Sequence, residues 1–306
     1  MAAGGRTRIV GGRIGDPTRE TVGQPIPVFL PEPGILFARR AERLESLAAS
    51  DHPMADWLRF TARLSRAQHE AIAALPMAEP VAVTEGEPPL GYGSHRREAY
   101  WRTALAVVLR AADDTALPHQ VRAAIGGLRA RDTATVDALA DAYLRGDTQK
   151  AERGEAVFIA AAIAAYFAHR AAVLPAADVH LLAQRGCCPV CGFAPVAGVV
   201  TAAGHAPGVR YLHCGLCATA WNHVRAVCIA CGSSRGLALH GIEGDEGAVQ
   251  AETCDECRSY VKMLYQAKDM AVEPMADDLA SLGLDMLVGE AGYRRNAVNP
   301  LVIGGQ

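Results

Sequence analysis

Between Ile35 and about Leu182, apolar residues recur at steps of three and four, the period of a helix with one buried face. Phe37, Ala41, Leu44 and Ala48 share one such face, with Arg39, Glu42 and Arg43 on the other. Pro53 starts a second helix carrying Trp57, Thr61, Leu64, Gln68, Ile72 and Leu75, and Pro76 stops it. Met77 to Gly93, rich in Pro, Gly and Glu, reads as loop. A third helix spans roughly Arg97 to Ala112 with Trp101, Leu105, Val108 and Leu109. Pro118 opens a short fourth, and Asp132-Thr133 caps a fifth bearing Val136, Leu139, Ala140 and Tyr143. The run Ala156 to Ala168, with Phe158, Ile163 and Phe167, is apolar on every side and belongs at the centre of a bundle. Six or so helices with short connections make an α-bundle.

The flanks have a different texture. Residues 1–33 carry Gly11-Gly12, Pro17, Pro25, Pro27, Pro31 and Pro33 and read as an irregular arm lying on the surface or on the domain behind it. Past Pro175 and Gly186, Ala194 to Thr201 and Gly208 to His213 are β-prone around a turn at Gly204 to Gly208. Gly236 to Ile242 and Ala248 to Glu252 flank Glu243 to Gly247 in the same way. After Cys257 the pattern reads helical again, through Tyr260, Met263 and Leu264 and then Asp278, Leu279, Leu282 and Met286. Gly289 and Gly292 end that helix, and Asn299-Pro300 begin a tail.

The predicted fold is α+β: an N-terminal all-α helical bundle, two tandem rubredoxin-like or zinc-ribbon modules, and a C-terminal helix. The expected boundaries are an arm at 1–33, the helical domain at 34–185, ribbons at 186–226 and 227–265, and a C-terminal helix and tail at 266–306.

Composition narrows the function. Of the 306 residues half are hydrophobic, enough for a large core without disulfides. The 30 Lys+Arg against 33 Asp+Glu leave a net charge of −3, which argues against a nonspecific nucleic-acid binder. Arg6, Arg8 and Arg13 are followed by no apolar leader stretch, and the longest apolar run, 13 residues, falls short of the ~20 needed to span a membrane. A cytoplasmic protein with reduced cysteines, not inserted in a membrane, is expected.

All nine cysteines lie between Cys187 and Cys257, and eight form C-x-x-C pairs: Cys188/Cys191, Cys214/Cys217, Cys228/Cys231 and Cys254/Cys257. The unit C-x2-C-x22-C-x2-C thus occurs twice, the second copy 40 residues after the first. A C-x-x-C turn places two thiolates along one edge of a tetrahedron, and two turns complete a four-sulfur site. Such a site suits zinc or a single iron, and spacing does not decide between them; paired turns joined by a hairpin fit one metal better than an iron–sulfur cluster. Closed sites of this kind usually fold a thin module, whereas iron would add redox chemistry. The unbroken repeat favours closure within each copy over a crossed pairing of first with first and second with second. Cys187 is left over and reads as a small buried hydrophobe.

Arg210, Tyr211 and His213, with Trp221, His223 and Arg225, form the richest aromatic and basic cluster in the ribbons. They are candidates either for strand packing or for a partner-binding face, since Trp, Tyr and Arg anchor interfaces. His213, beside Cys214, reads as a neighbour of the site rather than a fifth ligand. Asp277-Asp278 reads as a charge feature of a helix N-terminus. No G-x-x-x-x-G-K-[ST], post-strand G-x-G-x-x-G or G-x-S-x-G motif and no carboxylate pair in a catalytic frame occurs, so no catalytic residue is nominated and an accessory rather than enzymatic role is expected.

The ribbon residues resemble the formate dehydrogenase accessory protein family, FdhE. The likeness runs through Cys188-Pro189-Val190-Cys191-Gly192, Arg210 to Cys214, Trp221 to Arg225, Ala251 to Cys257, Tyr260-Val261-Lys262 and Leu264-Tyr265-Gln266. It continues through Ala276 to Leu282, Gly292-Tyr293 and Asn299-Pro300, and covers roughly the last 120 residues. Leu36 to Arg40 and Leu58-Arg59-Phe60 are thinner upstream matches. The family often has His directly after the Trp, whereas here Asn222 intervenes before His223. The resemblance implies a cytoplasmic assembly factor for respiratory formate dehydrogenase, a molybdenum or tungsten enzyme exported by the twin-arginine route. It implies binding to the catalytic subunit before export, and iron held in rubredoxin-like fashion by the cysteine pairs. A rubredoxin-like electron carrier is the alternative role, and zinc the alternative metal.

Overall fold

Pro33 stands in the first turn of α1 (Pro33–Ala48), where its missing N–H costs nothing, and Phe37, Ala41, Leu44 and Ala48 are all buried. This computed structural model describes residues 9–12, 24–49, 51–147, 153–204, 206–245 and 247–302. Arg6, Arg8, Arg13 and Pro17 of the expected arm lie outside them, as does one residue in each ribbon turn. Helices α2 (Ala55–Ala74), α3 (Trp101–Ala112), α4 (His119–Ala130), α5 (Thr133–Leu144) and α6 (Arg153–Ala171) complete the bundle. Asp132 caps α5 by accepting from Thr135 N at 2.8 Å. The apolar α6 packs against all five other helices of the bundle. Among the described residues no helix is long and apolar enough to cross a membrane.

The ribbons form one sheet. The first contributes β3 (Pro195–Val200), β4 (Arg210–Cys214) and β5 (Ala220–Asn222); the second β6 (Leu237–Ile242), β7 (Val249–Cys254) and β8 (Ser259–Tyr265). Each set is antiparallel, and the copies are joined by a parallel pairing of β3 with β8, in register from Ala197↔Lys262 to Val200↔Tyr265. The N-terminal segments supply both edges. β1 (Ile9–Gly12) pairs with β6 and β2 (Val28–Phe29) with β5, giving the order β1-β6-β7-β8-β3-β4-β5-β2. The arm is therefore partly strand.

Tyr260, Met263 and Leu264 lie on a strand, not a helix. β8 is central, between β7 and β3, and both its faces are covered. Tyr260 and Lys262 reach Asp285 and Asp278 of the C-terminal helical segment, while Val261 and Met263 join the main core. Tyr260 to Leu264 are therefore all buried and the strand loses the alternation that marks a half-exposed one. The C-terminal helical segment is divided at Ser281 into α7 (Pro274–Ala280) and α8 (Leu282–Glu290). Lys262, fully buried, explains the break. Its Nζ donates to the carbonyls of Asp278 (2.8 Å) and Ser281 (3.1 Å) at the end of α7 and pairs with Asp285 Oδ2 at 2.5 Å. Asp278 also bonds Asn299 Nδ2 at 2.8 Å and pairs with Arg295 of β9 (Arg294–Arg295), while Asp277 holds Arg43 of α1 at 2.5 Å. The two acids thus pin the C-terminal helices to β8 and α1.

One continuous core runs from the bundle into the first ribbon, joining Phe158, Ile163 and Trp101 to Val190, Leu212 and Trp221.

Candidate metal centres

The first C-x-x-C turn of each copy closes in the same way. Gly192 N donates to Cys188 O (2.8 Å) and Gly232 N to Cys228 O (3.0 Å). Cys188 N and Cys228 N donate to the carbonyls of Phe193 (2.9 Å) and Ser233 (2.8 Å). In all four turns the residue after the second cysteine is left-handed: Gly192 (φ 75), Ala218 (φ 60), Gly232 (φ 75) and Arg258 (φ 55). Glycine takes this conformation freely. Ala218 and Arg258 do so against their Cβ, so the turn itself imposes the geometry.

These turns gather the sulfurs into two groups, each from one copy: Cys188, Cys191, Cys214 and Cys217, and Cys228, Cys231, Cys254 and Cys257. Within each group the four Sγ lie within 4.8 Å of one another. Across the first group, Cys188–Cys217 and Cys191–Cys214 are 3.5 and 3.4 Å apart; across the second, Cys228–Cys257 and Cys231–Cys254 are both 3.8 Å. Metal–sulfur bonds of about 2.3 Å in a tetrahedron put the sulfurs about 3.8 Å apart. The donor sets therefore fit one thiolate-bound metal each. Such a metal would cross-link the two turns of its ribbon and, as iron, exchange an electron.

Two neighbours escaped the sequence reading. Thr219 Oγ1 is 3.1 Å from Cys217 Sγ, and Ser259 Oγ is 3.0 Å from Cys257 Sγ. Both stand two residues after the fourth cysteine, a repeat signal that was available. Burial pushes the Cys217 and Cys257 thiols up. Their hydrogen-bonding neighbours outweigh it, taking Cys217 well below the ordinary thiol range and Cys257 to about 7. Burial instead raises Cys188 and Cys191. Backbone N–H groups of Leu216 and Cys217 lie 3.3 and 3.4 Å from Cys214 Sγ.

The centres differ in exposure. All four cysteines of the first are buried; in the second Cys231 is exposed and Cys257 half-buried. The loop before α3 accounts for this. Leu90 N donates to Val190 O and Tyr92 N to Cys191 O, both at 2.9 Å, and the Tyr92 ring meets Phe193 edge-on at 5.3 Å.

The aromatic and basic cluster turns inward. Trp221 is 0 % exposed and donates Nε1 to Arg185 O at 2.9 Å. Arg210, 1 % exposed, bonds Glu252 Oε1 at 2.6 Å, His223 Nδ1 at 2.8 Å and Val227 O at 2.9 Å. Tyr211 is buried against Phe29, with rings 5.1 Å apart. His213 and Arg225 are half-buried, and desolvation with Arg40 nearby draws His213 down to about 4. Trp221 and Tyr211 thus join the first ribbon to β2, and Arg210, held by His223, joins it to Glu252 of the second. Cys187, half-buried, belongs to neither sulfur group, and burial raises its thiol.

Known proteins resemble the chain throughout. The family model "FdhE, N-terminal" matches residues 25–184, "FdhE, central domain" residues 187–225 and "FdhE, C-terminal domain" residues 226–302. A protein FdhE homolog of Edwardsiella ictaluri is 39% identical over 292 residues, covering 93% of this chain and 94% of the relative. Protein FdhE of Escherichia coli is 35% identical over 300 residues, 96% of each. The crystal structure of the FdhE protein from Pseudomonas aeruginosa superposes with a TM-score of 0.81 at 34% identity, covering 92% of this chain and 100% of that one. With bundle, ribbons and C-terminal helices all matched, the chain belongs to the FdhE family.

Proposed function

We propose that the chain is an assembly factor for respiratory formate dehydrogenase. It binds the catalytic subunit in the cytoplasm before export, carries iron at two mononuclear four-cysteine centres, and has no catalytic centre of its own. The observation that carries this reading is the likeness to FdhE proteins over the bundle and both ribbons together. Removing the chain from a host that depends on it should leave the formate dehydrogenase polypeptide present but inactive, with other molybdoenzymes unaffected. Formate dehydrogenase that matures fully without the chain would overturn the proposal.

The exposed Cys231 supports a second reading, a rubredoxin-like electron carrier, because a thiolate at the surface gives electrons a short way in. Absorption separates the cases. Ferric thiolate is coloured and bleaches on reduction, whereas a colourless zinc protein carries no electrons.

A further inference from the structure

The duplicated ribbon presents the same turn twice, once covered and once bare. In the first copy the segment 88–92, turned by a Gly91 N–H that donates to Pro88 O at 3.1 Å, lays two alternate backbone N–H groups, Leu90 and Tyr92, on the carbonyls of Val190 and Cys191. A Cβ placed on Gly192 would meet Pro88 at 3.5 Å and Tyr92 at 3.8 Å. Forty residues on, among the described residues no donor reaches the carbonyls of Ala230 and Cys231, and a Cβ on Gly232 would meet nothing within 4 Å. Ala230, Cys231 and Gly232 are all exposed.

We propose that the bare turn, residues 230–233, is a docking face for a turn-forming segment of the client polypeptide, which takes the place that 88–92 takes on the first turn. This rests on the assembly-factor reading and deepens it. The occupant is defined by the first copy: a proline-led turn whose alternate N–H groups meet the carbonyls of Ala230 and Cys231. Ser233 stands where the first turn has Phe193, so recognition is through backbone rather than ring stacking. Docking covers Cys231 and closes the second centre as the first is closed. Client binding and metal retention at that centre are thereby one event.

The test uses the full chain with the metal it carries on purification, alone and in complex with the formate dehydrogenase catalytic subunit captured from cells making both. Metal loss to excess EDTA is followed by elemental analysis. In the free chain one metal should leave faster than the other, and in the complex that fast loss should slow by about tenfold or more. Ala230→Glu, which alters no ligand, should keep both metals and reduce capture by about tenfold or more. Fast loss that persists in the complex, or full capture by Ala230→Glu, overturns the inference and leaves the assembly-factor reading standing. Docking would then move to another surface, such as the cleft of about 930 Å³ beside α1, edged by the exposed Phe29, Ile35 and Met270. Failure of the unmodified chain to capture the catalytic subunit overturns both.

Discussion

Arg210 of β4 and Glu252 of β7 meet at 2.6 Å, each from the middle strand of its own ribbon, with side chains 1% and 7% exposed. Desolvation lowers the pKa of Arg210 and raises that of Glu252, and their mutual attraction opposes both shifts without reversing them. The pair therefore fixes how the ribbons meet more than it adds net stability. Glu252→Ala strands a buried guanidinium and should cost about 3–5 kcal/mol, whereas Arg210→Met with Glu252→Leu should recover most of that loss. Urea unfolding of the three proteins measures this. A double variant as unstable as Glu252→Ala would show that the pair itself supplies the stability.

Trp221 fills the core between Arg185 and β2, where it pairs with Val28. Trp221→Ala should cost about 3–5 kcal/mol and loosen the first metal centre. Lowered thermal stability with reduced metal content is expected. A variant that keeps both, yet fails to capture a partner, would restore Trp221 as an interface anchor.

Replacing Cys188 and Cys191 with serine should remove one metal and leave the second centre loaded, because each sulfur group is drawn from a single copy. The carbonyls of Val190 and Cys191 sit on the turn that this metal holds, so the amides of Leu90 and Tyr92 should exchange hydrogen faster. Far-UV helical signal from α1 to α6 should persist. Loss of both metals would show that the two ribbons fold as one unit.

The parts legible in the sequence were those with local periodicity or repetition. Phe37, Ala41, Leu44 and Ala48 announce α1 because one face of a helix must be apolar to pack. The 40-residue register likewise groups the cysteines by copy. Three features lacked such a signal. β2 is two residues long, too short for any period. β8 is covered on both faces and so lacks alternation, while Tyr260, Met263 and Leu264 happen to stand at helical spacing. Lys262 finds Asp278 and Asp285 only after the chain has folded back, so nothing local marks it as the residue that divides α7 from α8. Trp221 and Arg210 show the limit of composition, since the side chains that anchor interfaces also make good buried joints.

His223 gives the joint a pH dependence. Its Nδ1 accepts from Arg210 Nη2 at 2.8 Å, which requires the neutral ring, and burial followed by the charges of Arg210 and Arg185 takes it from 6.5 to about 4. The folded value lies below the unfolded one. The contribution is therefore fully present above 6.5 and is lost as pH falls from there towards 4. By pH 5 the loss should reach about 2 kcal/mol, from 1.36 kcal/mol per pH unit. Gln in place of His223 retains a hydrogen-bonding oxygen and does not titrate. Its stability relative to the unmodified chain should therefore rise between pH 7 and pH 5, as read by urea midpoints of the metal-loaded proteins. Parallel pH profiles for the two would place the acid sensitivity of the fold elsewhere.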